Sequence, residues 1–194
     1  MINVRKTCVA ALAVIFLSSA LSAIPPGTGS QHMRISGLEF LEVLPTPGWT
    51  SFTSKQVLDI PSLQVEGLIL YMEFIGSMDM LEVPPLGGFF GRASALLYLG
   101  DLSSDPVGMV SATYYGLNLS PPPEIAYNGD ITLAGVFWNG PLAGLVITQN
   151  VYMEGVVDVS SGIPVATDYI GEIDGFLMAP DYVDVKAVKA ALHD

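Results

Sequence analysis

Few residues in this chain have the types and spacing that could do chemistry, and each such group has a plainer use as well. The segment Asp101-Leu102-Ser103-Ser104-Asp105 has the D-x-S-x-D spacing that can set two carboxylates and a hydroxyl around a hard cation such as Ca²⁺, with Asp101, Ser103 and Asp105 as the ligands. Pro106 stands where a calcium loop of the helix–loop–helix kind has its glycine, and the distal glutamate is missing. Asp and Ser are also the residues that build ordinary turns. Carboxylate pairs such as Glu66 with Glu73, or Glu154 with Asp158, are what glycoside hydrolysis needs. On strands they fall on opposite or mixed faces, so nothing brings them to a catalytic separation. The histidines are His32 and His193, one in the lead and one next to the last residue, and neither is placed for a Ser-His-Asp site or a histidine-bound zinc. The expectation is a non-enzymatic protein without a cofactor.

Aromatic residues give a second set of candidates. Trp49 adjoins a proline-glycine loop, Trp138 adjoins a turn, and Tyr114 and Tyr115 lie near a connection. Aromatics at strand ends either cap a β core or rim a pocket for a carbohydrate or apolar ligand.

The elements that would hold these groups are strands. Apolar runs rich in β-branched and aromatic residues flank Asn139-Gly140, a dipeptide suited to a tight hairpin. A further strand is expected over Val151 to Val159, and others over Arg34–Leu44, Trp49–Ile60, Ala93–Leu99, Val107–Gly116 and Thr167–Met178. Leu63 to Ile75 is apolar on both alternating faces, which predicts a strand covered on both sides. Gly76-Ser77 then suits a type II′ turn into Met78–Val83, and Pro84–Gly91 reads as a loop. The three prolines at 121–123 favour a polyproline-like crossing over Ser120–Asp130. Only Asp184–Asp194 has helix composition, with Val185, Val188 and Leu192 on one face. The pattern apolar-x-Gly-apolar-x-apolar occurs around Gly37, Gly67, Gly116, Gly135, Gly144 and Gly175, and in part around Gly155. Its irregular spacing argues against a solenoid, and in-strand glycine suits a tightly curled sheet.

Residues 1–23 have the form of a secretory signal peptide, with Arg5 and Lys6, an apolar run and small residues before cleavage at Ala20 or Ala23. Cys8, the single cysteine, lies within it, so the mature chain is expected to have neither disulfide nor thiolate site. Beyond it, Arg34, Lys55, Arg92, Lys186 and Lys189 stand against 19 acids, a surface that repels phosphate backbones and anionic lipid. The division expected is a flexible lead over 24–33, one β domain over 34–183 and a C-terminal helix over 184–194. The fold expected is all-β, a single antiparallel β-barrel or β-sandwich of about eight to ten strands. The function expected is a secreted, extracellular or periplasmic, structural or adhesive protein with surface or homo-oligomeric partners. A barrel-type module for an apolar or carbohydrate ligand is the alternative, and a carboxylate-based hydrolase comes last. No nucleic-acid partner and no membrane span are expected.

Overall fold

The computed structural model describes residues 30–43, 51–81, 86–161 and 165–193. Eight strands run in chain order around a closed barrel: β1 (Gln31–Val43), β2 (Ser51–Ile60), β3 (Val65–Leu81), β4 (Gly88–Leu99), β5 (Gly108–Asn118), β6 (Glu124–Phe137), β7 (Val146–Asp158) and β8 (Val165–Ala179). Each pairs antiparallel with its sequence neighbours, and β8 closes on β1 from Gln31↔Ala179 to Glu39↔Gly171. Closure removes both free sheet edges. The sequence reading left barrel and sandwich open; the β1–β8 ladder makes it a barrel.

Side chains alternate inward and outward. The inward set, including Ile35, Leu58, Leu70, Met72, Phe74, Leu97, Leu133, Ile147, Ile173 and Leu177, forms one buried apolar core. Phe52 and Phe74 stack within it, centroids 4.4 Å apart. The outward positions are mixed: Ser36, Asp59, Thr113, Thr132, Asn150, Glu172 and Asp174 are interspersed with exposed Leu38, Phe40, Ile75, Tyr115, Ile170 and Phe176.

Inward glycines let so small a barrel curl. At Gly135 an added Cβ would lie 2.0 Å from the carbonyl oxygen of Met109, and at Gly37 2.0 Å from that of Val57, so the neighbouring strand occupies the side-chain space. Two members of the glycine pattern serve otherwise. Gly67 and Gly144 have φ +69° and +87°, the left-handed region that glycine enters without a Cβ penalty.

The two ends differ. At one, helix α1 (Val185–His193) buries Val188 in the core, beneath fully buried Ile60, Leu63 and Leu145. Asp184 Oδ1 accepts the Lys186 backbone N–H at 2.9 Å, the bond of an N-cap. His193 places Nε2 3.1 Å from the Leu63 carbonyl, and Lys189 hydrogen-bonds Gln64, which ties the helix to the β2–β3 connection. His193 is therefore an anchor of the helix rather than a free terminal group. At the other, the mouth end, the inward-facing Leu41, Met78, Phe89, Val157 and Tyr169 are only partly buried and pack against the core.

Several expectations about elements are corrected. β3 runs through Gly76-Ser77 without turning, because Gly76 packs against the Arg92 carbonyl and Ala93 of β4. It is covered on one face only, since Ile75 points outward and is 61% exposed. Asn139-Gly140 does not make a two-residue turn: the β6–β7 connection spans 138–145, with Gly144 N–H bonded to the Phe137 carbonyl. The apolar run after Asn139-Gly140 and the strand expected over Val151–Val159 are one strand, for β7 passes straight through Gln149-Asn150. The prolines at 121–123 form a short link between adjacent strands rather than a crossing, and β6 starts at Glu124. Phe89 and Phe90 belong to β4, and β1 starts at Gln31, so His32 is in a strand. The proposed signal peptide, Trp49 and Pro84-Pro85 lie outside the described residues.

Candidate functional site: a polar cluster in the barrel lumen

Strand parity gathers five polar side chains into one cluster inside this apolar barrel. On β1, Met33, Ile35 and Glu39 share the inward face; on β2, Ser54 and Gln56 share it with Phe52 and Leu58; on β7, Gln149 lies between Ile147 and Val151; and on β8, Tyr169 precedes Gly171 and Ile173. Glu39, Ser54 and Gln56 have no solvent exposure, and Gln149 has 2%. Burying such groups is costly unless they pair.

They pair in a chain. Tyr169 donates its hydroxyl to Glu39 Oε1 at 2.5 Å, and Gln56 Nε2 donates to Glu39 Oε2 at 2.7 Å. Gln149 Nε2 in turn donates to Gln56 Oε1 at 2.9 Å. The acceptor carboxyl sets the polarity of the chain: Gln56 presents its amino group to Glu39 and its carbonyl to Gln149, whose own Oε1 is left over. That atom, Ser54 Oγ and Tyr127 Oη are buried without a hydrogen-bond partner. Ser54 Oγ faces the Glu39 carboxyl but does not complete a bond to it. Tyr127 points inward from β6, packs edge-on against Phe89 with centroids 5.5 Å apart, and crosses to the bare wall at Gly155.

Among the described residues no basic side chain accompanies Glu39. Arg34 bonds Asp174 on the outer face, Lys55 points outward 3.9 Å from Glu42, Arg92 stands over the exposed Phe90, and Lys186 and Lys189 are on α1. Burial therefore pushes the Glu39 carboxyl above its ordinary 4.5, and the hydrogen bonds from Tyr169 and Gln56 and the dipole of Ser54 recover only part of the loss. The Tyr169 phenol is raised well above 10 by burial and then by Glu39.

This arrangement has a signed pH signature. Folding favours the neutral form of Glu39, so its contribution is greatest below 4.5, falls as pH rises from 4.5 through the raised folded value, and is flat above it. One proton can contribute a slope of at most about 1.4 kcal/mol per pH unit. Denaturant titrations at stepped pH are expected to show this decline in the natural protein and to lose it in Glu39→Gln. Identical slopes in the two proteins would refute the assignment.

The residues singled out from sequence fall elsewhere. Asp101 accepts the Ser103 N–H at 2.8 Å on Oδ1 and the Ser103 hydroxyl at 2.9 Å on Oδ2, while its carbonyl accepts the Ser104 hydroxyl at 2.6 Å. That is the geometry of a side-chain-capped turn, and it lies in the β4–β5 connection at the helix end, with Asp105 also exposed. Trp138 is at the helix end too, 45% exposed. Tyr115 faces outward beside Asp130. Tyr114 alone points into the barrel, 5% exposed; its hydroxyl bonds the Ser77 carbonyl at 2.8 Å, and burial pushes the phenol up to about 12. The carboxylate pairs are not brought together as pairs: Glu73 Oε2 accepts the buried Tyr98 hydroxyl at 2.6 Å, Glu154 accepts the Tyr152 hydroxyl, and Asp158 accepts the Ser160 N–H.

Comparison with protein-family models, with characterised proteins and with solved structures finds no match to this chain. The lumen cluster was open to sequence reasoning only through parity: Phe52, Leu58 and Ile60 put Ser54 and Gln56 on their own face, and Ile147 with Val151 does the same for Gln149. On β1 the outward Leu38 and Phe40 disguised the inward Glu39.

Proposed function

We propose that the protein is an exported binding module whose barrel lumen takes a small, mostly apolar molecule through the rim formed by Leu41, Met78, Phe89, Val157 and Tyr169. The observation that carries this reading is the set of three buried polar atoms without partners, Gln149 Oε1, Ser54 Oγ and Tyr127 Oη, in a lumen sealed by α1 at its far end. Groups kept unpaired inside a fold at a cost of about 1–3 kcal/mol each are what a site built to hydrogen-bond a ligand contains. An eight-stranded barrel is of the size that either fills with side chains or holds one small ligand. Charged and amide side chains on the outer face, Asp59, Asn150, Glu172 and Asp174 among them, interrupt the apolar band that a lipid-spanning barrel needs, which supports a role in water.

Native mass spectrometry of protein purified from its source is expected to show a mass excess that disappears on unfolding. A bare polypeptide mass under non-denaturing conditions, with no stabilisation by added apolar amines or alcohols, would overturn the reading.

The outer surface supports a second reading, contact with another protein or with a copy of itself. Phe90, Tyr115, Leu117 and Leu119 are exposed near the mouth end of β4 and β5, and next to them Ile75, Arg92, Ser94, Ser111, Thr113 and Thr132 line an open groove of about 530 Å³. Light scattering over a concentration series tests the self-association part; a constant monomer mass would count against it.

A further inference from the structure

The charge and hydrogen-bond polarity of the lumen specify the ligand further, given that the lumen is a binding site. Every described group facing Glu39 is neutral: Ser54 and Gln56 from β2, Gln149 from β7, Tyr169 from β8 and, beyond Tyr169, Tyr127 from β6. The chain of hydrogen bonds runs toward the acid from both sides and ends in an unpaired acceptor, Gln149 Oε1, with the unpaired Ser54 oxygen beside the carboxyl. What is missing is donors and one positive charge. The rings of Tyr127, Tyr169 and Phe89 lie on the same inward side of the wall, and aromatic rings favour a cation that has given up its water. A guanidinium or ammonium side chain from the barrel wall could have met this need, yet the basic residues from Arg34 to Lys189 all lie on the outer face or on α1.

We propose that the lumen ligand is an amine, carrying a protonated ammonium group on an apolar body, with the ammonium at the Glu39 cluster and the body among Phe89, Tyr127 and Met153. Pairing requires the carboxylate, so binding from the neutral acid releases one proton from Glu39 to solvent and leaves a carboxylate–ammonium pair in its place. Affinity for a cationic amine therefore rises with pH, by up to about tenfold per pH unit, until Glu39 is ionised in the free protein. A neutral analogue of the same shape has no such linkage.

The test is calorimetric titration of the full folded protein with 2-phenylethylamine and, separately, with 2-phenylethanol, at pH values from about 5 to about 8, where the amine stays protonated. The amine is expected to bind at least tenfold more tightly than the alcohol at the upper end, to tighten with pH, and to release protons, so that the observed heat varies with the ionisation enthalpy of the buffer. In Glu39→Gln, with folding checked by near-ultraviolet circular dichroism, the pH dependence is expected to vanish and amine affinity to fall at least tenfold. Equal affinities for amine and alcohol with a flat pH profile would overturn the amine assignment and leave lumen binding standing. Failure of both compounds to bind, together with a bare native mass, would overturn lumen binding itself. The wild-type pH profile is decisive even where the variant folds poorly.

Discussion

Gly135→Val is expected to be the most damaging single substitution in the barrel wall, abolishing folding or lowering unfolding free energy by about 4 kcal/mol or more. The position faces inward on β6, where even a bare Cβ would lie 2.0 Å from the Met109 carbonyl oxygen and 2.7 Å from Val110 Cα and Cγ1. Both nearest obstacles include backbone of β5, which is hydrogen-bonded to β6 from Gly108↔Phe137 to Asn118↔Tyr127, so no side-chain rotation relieves the clash. The strand pair must separate or slip, and closure of the barrel transmits that shift to every other ladder. Guanidinium denaturation of Gly135→Val beside Gly100→Val separates this effect from a general cost of replacing glycine. Gly100 has φ +75° with no atom within 4 Å of a Cβ, so its variant suffers only backbone strain, on the order of 1–2 kcal/mol. Equal losses at the two positions would contradict the close-approach account of the inward glycines.

Glu39→Ala is expected to cost about 3–5 kcal/mol at acidic to neutral pH. It removes the acceptor of two buried donors, Tyr169 Oη and Gln56 Nε2, each costing about 1–3 kcal/mol when stranded, and opens a cavity at a position with no solvent exposure. For a domain of this size the melting temperature should fall by roughly 6–20 °C. Glu39→Gln fills the same space without the ionisable group, so its loss at acidic pH should be smaller and should shrink as pH rises. Were Glu39→Ala to cost less than about 1 kcal/mol, the buried chain of hydrogen bonds would not be the organising feature of the lumen.

The fold was legible where local chemistry and tertiary need agree. Short β-rich runs broken by Gly, Pro and Asn pointed to antiparallel strands, and the in-strand glycines at Gly37, Gly135 and Gly175 pointed to curl, for the reason the structure shows: a neighbouring carbonyl sits in the space of each missing Cβ. Strand ends were misplaced where glycine was taken for a turn. Gly76 serves close approach within β3, and the same residue type at Gly140 and Gly144 shapes a longer connection; both uses look alike without knowledge of the partner strand. Barrel closure was out of reach because it depends on β1 meeting β8, a pairing across the whole domain with no local signature.

The site was less legible than the fold. Attention to Asp101, Ser103 and Asp105, and to aromatics at strand ends, followed exposed polar and ring-bearing residues; Tyr114 points inward, whereas Tyr115 faces outward and Trp138 is exposed at the helix end. The lumen groups were hidden because an inward polar residue in a strand is recognised only once the register of its apolar neighbours is known. Glu39 lies between Leu38 and Phe40, whose apolar character suggested the opposite face; both are outward and partly exposed. The charge excess of the chain likewise drew attention to the outer surface, whereas Glu39, fully buried and without a basic partner, is inside.

The claim on which the account rests is that the lumen is the binding site, and methionine placement allows it to be read directly. Met78 and Met153 face the mouth half of the lumen, Met72 lies deeper on the same inward face, and Met109 is buried on the outer face of β5. In a methyl-detected NMR titration of ε-¹³C-methionine protein with 2-phenylethylamine, saturable shifts are predicted at Met78 and Met153, with Met109 unmoved. Shifts confined to Met109 and other outer-face methyls, or none at any methionine up to millimolar ligand, would contradict it.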